Sequence, residues 1–208
     1  MKKILLSGFE PFGNLDTNPT TAIISRAEDW DIEGINLETL ILPVVYNECA
    51  SRLIEKIEVF KPDIVLSLGV AVGRSAITPE RIGINIQDTA GEGKTGDNRG
   101  DQPRDRFIND GGPDGLFSTL PIRQIVELLE SEGIPAQISN TAGTYICNNT
   151  LYSILYYINR ENLDTRAGFI HVPASPDMVT KQPQMPSMAI DVQEKAIKHI
   201  LEFLSKKD

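Results

Sequence analysis

Four short, largely apolar runs constrain this chain most: "KKILLSGF" (2–9), "INLETLILPV" (35–44), "DIVLSLGV" (63–70) and "GFIHVP" (168–173). Runs of this length and apolarity read as strands, with 2–9 and 63–70 as the buried ones. The segments between them carry helical periodicity. Thr17 or Asn18 is placed to cap a helix whose first residue is Pro19, an arrangement that satisfies end groups and presets φ. Over 46–60, Cys49, Leu53, Ile54, Ile57 and Phe60 recur at helical spacing, and Pro62 stops the helix. Cys49 is read as a mid-helix residue on that apolar stripe. Helices are also expected over 121–132 (Ile122, Ile125, Val126, Leu129), 144–159 and 188–206, the last burying Ile190, Ala196, Ile197, Ile200, Leu201 and Leu204. "ERIGINI" (80–86) and "AQISN" (136–140) are read as two further strands. Strand–helix alternation of this kind predicts a three-layer α/β/α sandwich with a mainly parallel, twisted central sheet. With no repeat and no linker composition, one domain spanning 1–208 is expected.

Residues 88–120 are rich in Gly, Asp, Asn and Pro and show no period. A loop of that length inside a compact domain is assigned to a functional surface or a subunit contact. The formal net charge of −9, with scattered cations, argues against nucleic acid or an anionic membrane as partner. The apolar run before Ser7 is only three residues, too short for a signal peptide, and no run approaches a membrane span. Two cysteines about a hundred positions apart make no disulfide framework. A cytoplasmic location with reduced thiols is expected.

Candidate chemistry centres on Cys147, which follows an Ala-Gly turn at the start of the 144–159 helix. Unpaired N–H groups and the helix dipole at such a place stabilise a thiolate and a developing oxyanion. A buried structural thiol is the competing reading, and position alone does not separate the two. Of the two histidines, His199 lies on the last helix and reads as a surface residue. His171 ends the strand "GFIHVP", where a base or a core histidine bonded to a carbonyl both fit. Glu80, after Pro79, is able to orient an imidazole, though alone it reads as a solvated glutamate. Cys147, His171, Asp177 and Glu80 lack the short paired spacings of zinc sites, so no metal and no cofactor are expected. "GFEPFGN" and "GEGKTGDN" fail as phosphate loops: the first carries Glu10, and the second lacks the leading glycine and a feeding strand.

Three longer stretches carry a resemblance: "GFEPFG" with "NPT" behind it, "GVAVGRSAITPERIGIN" and "SNTAGTYICN", supported by "FSTLP" and "GFIHVP". Together they span nearly the whole chain, and in them the sequence resembles the pyrrolidone-carboxylate peptidases (pyroglutamyl peptidase I), cysteine peptidases that remove N-terminal pyroglutamate. The resemblance implies Cys147 as nucleophile, His171 as base and acid, and Glu80 as the group orienting it. It further implies Phe9 and Phe12 as ring-packing residues, Asn18 as a polar contact, Val70 as a backbone contact, and Tyr145 and Ile146 as pocket wall. Peptides with N-terminal pyroglutamate are the implied partners, and a homo-oligomer, a tetramer in bacterial-type members, is the implied assembly.

One departure stands out. Many bacterial relatives follow the glutamate-bearing strand with Asp-Ala-Arg, whereas "DTAGEGKTGDN" places Ala90 at the arginine position and lengthens the step to Asp97 and Asn98. Arg81, Lys94 and Arg99 are the cations near enough in sequence to substitute. Two rival readings are a nucleoside phosphorylase-like transferase and a catalytically inactive ligand-binding relative on the same scaffold.

Overall fold

The computed structural model describes residues 1–13, 15–90 and 95–207. In chain order its elements are β1 (Lys2–Phe9), α1 (Pro19–Ala27), β2 (Ile35–Leu42), α2 (Glu48–Phe60), β3 (Ile64–Val70), β4 (Thr78–Pro79), β5 (Ile82–Ile84), β6 (Gly115–Phe117), α3 (Ile122–Ser131), α4 (Ile146–Arg160), β7 (Arg166–Val172) and α5 (Ile190–Ser205), with a 3-10 turn at Pro176–Val179 before α5. The main sheet runs β2-β1-β3-β7-β4. Its β1–β2, β1–β3 and β3–β7 pairs are parallel, and only the short β4 runs antiparallel, against β7.

Alternation along the strands sends side chains into two cores. Ile4 and Leu6 of β1, Ile64, Leu66 and Leu68 of β3, and Ile170 and Val172 of β7 pack with α1, α3 and α5. Leu5, Phe9, Val65, Ala167 and Phe169 face the other way, onto α2 and α4. Period-two burial on both faces explains why the strands read as near-continuous apolar runs. The expected three-layer sandwich is therefore present.

Two strand expectations need correction. The 80–86 segment is strand only over Ile82–Ile84: β4 ends before it, at Pro79 in the main sheet, and β5 lies in a separate two-stranded sheet with β6. Residues 136–140 form no regular strand, making only isolated bridges, Ile77 to Ala136 and Glu80 to Ser139. The bonds along this edge run Ile77 N–H to Pro135 O (2.9 Å), Gln137 N–H to Ile77 O (3.0 Å), Ser139 N–H to Pro79 O (3.0 Å) and Arg81 N–H to Ser139 O (2.8 Å). The rung between them would need an N–H that Pro79 does not have, so the ladder breaks there.

Helix starts follow their local chemistry. Asn18 caps α1, its Oδ1 accepting from Thr20 N–H at 3.0 Å with Pro19 in the first turn. Helix α2 begins at Glu48, which makes Cys49 its second residue rather than a mid-helix one. Among the described residues no helix is long and apolar enough to cross a membrane.

Candidate active site

The carboxyl ends of parallel strands and the loops that follow them are where open α/β sheets place their sites. Here the ends of β1, β3 and β7 and the start of α4 enclose a cavity of about 390 Å³. Its lining includes Phe9, Phe12, Asn18, Val70, Tyr145, Ile146, Cys147 and His171, so eight of the nine site residues expected from sequence meet on one surface. The ninth, Glu80, lies behind His171 and is fully buried.

His171 is the penultimate residue of β7, an interior strand, and only 5% exposed. Its Nδ1 lies 2.7 Å from Glu80 Oε1. The β4–β7 pairing fixes this contact, because Thr78 sits opposite His171, Pro79 opposite Ile170, and Glu80 N–H donates to Phe169 O at 2.9 Å. An ionised carboxylate only accepts, so Nδ1 carries the proton and the neutral ring's lone pair is on Nε2. Burial pushes Glu80 up, but the hydrogen bond and charge of His171 and the bonds from Ser139 and Arg74 outweigh it and hold the carboxyl below its ordinary value.

Cys147 is the second residue of α4, which starts without a side-chain cap at Tyr145. Its thiol is not in a disulfide. Gly143, at φ +76°, makes the turn that delivers the chain to this helix start, a conformation glycine adopts without strain. Gly69 faces the thiol from β3. A Cβ there would lie 2.9 Å from Cys147 Sγ and 2.8 Å from the Phe169 ring, so only glycine lets the sulfur sit against the strand. Register places Gly69 opposite His171, which brings the thiol and the imidazole to the same strand ends.

The remaining lining is aromatic and apolar. Phe9 packs its ring 6.2 Å from that of Phe169, Phe12 lies 6.3 Å from Tyr145, and Tyr145 meets Tyr46 edge-on at 5.6 Å. Burial raises the Tyr145 phenol above its ordinary value, and its O–H donates to Gly96 O at 2.8 Å. Asn18 borders the cavity with its side chain already engaged, Oδ1 in the α1 cap and Nδ2 donating to Glu10 O at 3.1 Å. The long loop also reaches this wall: Asn98 donates to Glu10 Oε1 (2.9 Å) and Asp97 accepts from Tyr46 N–H (3.0 Å).

The structure also shows which cations reach the cavity. Ala90 is exposed. Arg81 donates to Asn140 Oδ1 at 2.7 Å, Arg99 pairs with Glu48, and neither lines the cavity, while Lys94 lies outside the described residues. Arg74 does line it and was missed by sequence reasoning, although it lies within the quoted "GVAVGRSAITPERIGIN" stretch. His199 sits on α5 beside Glu132, and Asp177 accepts from Thr17 Oγ1, both away from the lining. Among the described residues no cluster of three or more His, Cys, Asp or Glu side chains is placed to hold a metal.

A thiol at an uncapped helix start, an imidazole backed by a buried carboxylate and an apolar slot are the groups that thiol-dependent acyl transfer uses. The chain belongs to the pyroglutamyl peptidase family, whose model matches residues 2–207. It is 43% identical over 205 residues to the pyrrolidone-carboxylate peptidase of Thermoanaerobacter pseudethanolicus, covering 99% of this chain and 98% of that one. It is 42% identical over 192 residues to that of Vibrio parahaemolyticus, covering 92% and 87%. Among solved structures, pyroglutamyl peptidase I from Bacillus amyloliquefaciens superposes with a TM-score of 0.93 at 36% identity, covering 99% and 96% of the two chains. The pyrrolidone carboxyl peptidase of Fervidobacterium islandicum gives 0.94 at 38% identity, covering 99% of each.

Proposed function

We propose that this protein hydrolyses the bond between an N-terminal pyroglutamyl residue and the rest of a peptide, through a thioester on Cys147. His171 Nε2 takes the thiol proton, and Sγ attacks the pyroglutamyl carbonyl carbon. Backbone N–H groups in the first turn of α4 hold the oxyanion, at a helix end whose dipole favours negative charge. His171 then gives its proton to the leaving amine, and the C–N bond breaks. A water that His171 deprotonates adds to the thioester, the C–S bond breaks, pyroglutamate leaves, and the thiol is restored. Glu80 keeps the imidazole oriented and stabilises its cationic form.

Recognition follows from the lining. Pyroglutamate has no free amine, so an anionic amine clamp has nothing to bind. Phe9, Phe12, Tyr145 and Ile146 give an apolar slot for the lactam, with the Val70 backbone and Asn18 as polar contacts. Proline lacks the ring carbonyl and leaves those polar groups unpaired, so it is rejected. The observation that carries this reading is the meeting of Cys147, His171 and the two phenylalanines on one cavity, with Glu80 2.7 Å behind the imidazole. We assign the activity to one peptidase domain over 1–208, in the cytoplasm, assembled as a homotetramer. Phe107 and Phe117, 54% and 68% exposed, offer apolar surface for such assembly.

A chromogenic pyroglutamyl amide, with the prolyl amide as control, tests the reading. Cleavage of the first only, abolished by thiol alkylation and by Cys147→Ser, is expected. Equal cleavage of both, or turnover surviving Cys147→Ser, would sink it, and a phosphate requirement would favour the phosphorylase-like rival.

A further inference from the structure

Arg74 makes contacts that tie three parts of the site together. It follows the turn after β3, where Gly73 has φ +94° and Arg74 N–H donates to Ala71 O at 3.2 Å. One terminal nitrogen donates to Thr78 Oγ1 and to Glu80 Oε1, both at 2.7 Å. The other donates to Thr141 O at 3.2 Å. Thr78 in turn donates to the main-chain carbonyl of His171 at 3.4 Å. Thr141 opens the turn, through Gly143, that leads to Cys147. A single planar fork thus touches the strand opposite His171, the carboxylate that orients it, and the segment that carries the thiol.

The carboxylate depends on this contact. Glu80 is fully buried, and its Oε2 has no hydrogen-bond partner among the described residues. The hydroxyl of Ser139 donates to Thr141 O at 3.0 Å and lies close enough to help hold the Glu80 charge. His171 Nδ1 and Arg74 therefore both converge on Oε1. Without the guanidinium the buried charge loses its one cationic donor besides His171, and taking up a proton or turning away from His171 becomes cheaper.

We infer that Arg74 is a positioning residue for the proposed Cys147–His171–Glu80 chemistry, acting through Glu80 and through the Thr141 turn. This rests on the triad reading above. The fork geometry matters because three acceptors in different directions need a planar, multi-donor group, which a lysine ammonium on a flexible stem does not reproduce.

The test is a double-mutant cycle on the full-length protein with a pyroglutamyl amide, comparing Arg74→Met, Glu80→Gln and the pair, with Arg74→Lys alongside. Arg74→Met is expected to lower kcat by about 10- to 100-fold with KM within about threefold. On the Glu80→Gln background the same change should cost less than about threefold, because its main partner is gone. Arg74→Lys should recover part of the loss. It also serves where Arg74→Met fails to fold: an unimpaired lysine variant would refute the fork. Equal costs on both backgrounds, or a KM rise with kcat intact, would overturn the inference while leaving the triad standing. A Glu80→Gln variant as active as the parent would instead sink the triad, and this inference with it.

Discussion

The two cysteines occupy the same kind of place and differ in everything around it. Cys49 is the second residue of α2 and Cys147 the second residue of α4, and neither helix start has a side-chain cap. The two helices pack on the same face of the sheet. Yet Cys49 is fully enclosed, donating to Asn149 Oδ1 at 3.4 Å and accepting from Thr150 Oγ1 at 3.2 Å. Burial pushes its thiol up to about 12. Cys147 opens on a cavity shared with His171. A helix N-terminus therefore does not make a nucleophile, since desolvation at Cys49 overrides any help from the dipole. In the proposed mechanism, access to substrate and a base within the same cavity make the difference.

The sharpest way to break this comparison is to remove each sulfur in turn. Cys147→Ala should lower kcat/KM for a pyroglutamyl amide by about a thousandfold or more, whereas Cys49→Ala should stay within about threefold. Iodoacetamide on the native protein should label one thiol per chain, Cys147, and reach Cys49 only in denaturant, as peptide mass spectrometry would report. A Cys49→Ala variant as inactive as Cys147→Ala, or native labelling at Cys49, would erase the distinction.

A smaller effect is expected from Gly69→Ala, which touches one cysteine only. The new methyl meets Cys147 Sγ at 2.9 Å and the buried Phe169 ring at 2.8 Å, closer than real contacts allow. The ring is held in the core, so the sulfur moves. Misplacement of a reacting atom by about 1 Å costs on the order of a hundredfold. A loss of about 10- to 100-fold in kcat is therefore expected, with protection of Cys49 from labelling unchanged. Full activity in Gly69→Ala would mean that the sulfur does not need its place against β3.

What the sequence made legible follows the range of the forces involved. Strands β1, β3 and β7 stood out because both faces are buried, and the α1 start because Asn18 and Pro19 act within one turn. The start of α2 did not: Asn47 enters it at φ 61° with no side-chain cap, so nothing local marks Cys49 as a first-turn residue. The 80–86 reading overran its bounds: only Ile82–Ile84 of that run is strand, in the small sheet, and only Pro79 hints that the main-sheet strand has ended before it. Glu80, Cys147 and His171 were open to ordinary explanations one by one, and the resemblance alone brought them together as a triad. Arg74 escaped notice because its value depends on Thr141, 67 positions away, coming to lie beside Glu80.

The smallest expected effect separates the two cysteine neighbourhoods by pH rather than by activity. Glu80, beside the Cys147 site, is held below its ordinary value of 4.5, so folding favours its ionised form. That contribution is present above the ordinary value and lost as pH falls through the lowered one. Glu80→Gln should therefore show a lower urea midpoint than the parent at pH 7, with the gap closing on acidification. Cys49 behaves in the opposite sense: its thiol is raised from 9.0 to about 12, so folding favours the neutral form. Its contribution is present below 9.0 and declines as pH rises toward the raised value. Cys49→Ala should cost about 1 kcal/mol through lost packing, unchanged from pH 4 to 8, with the gap narrowing above pH 9. If the two variants showed the same pH profile, the contrast between an ion-paired and an enclosed neighbourhood would fail on its own terms.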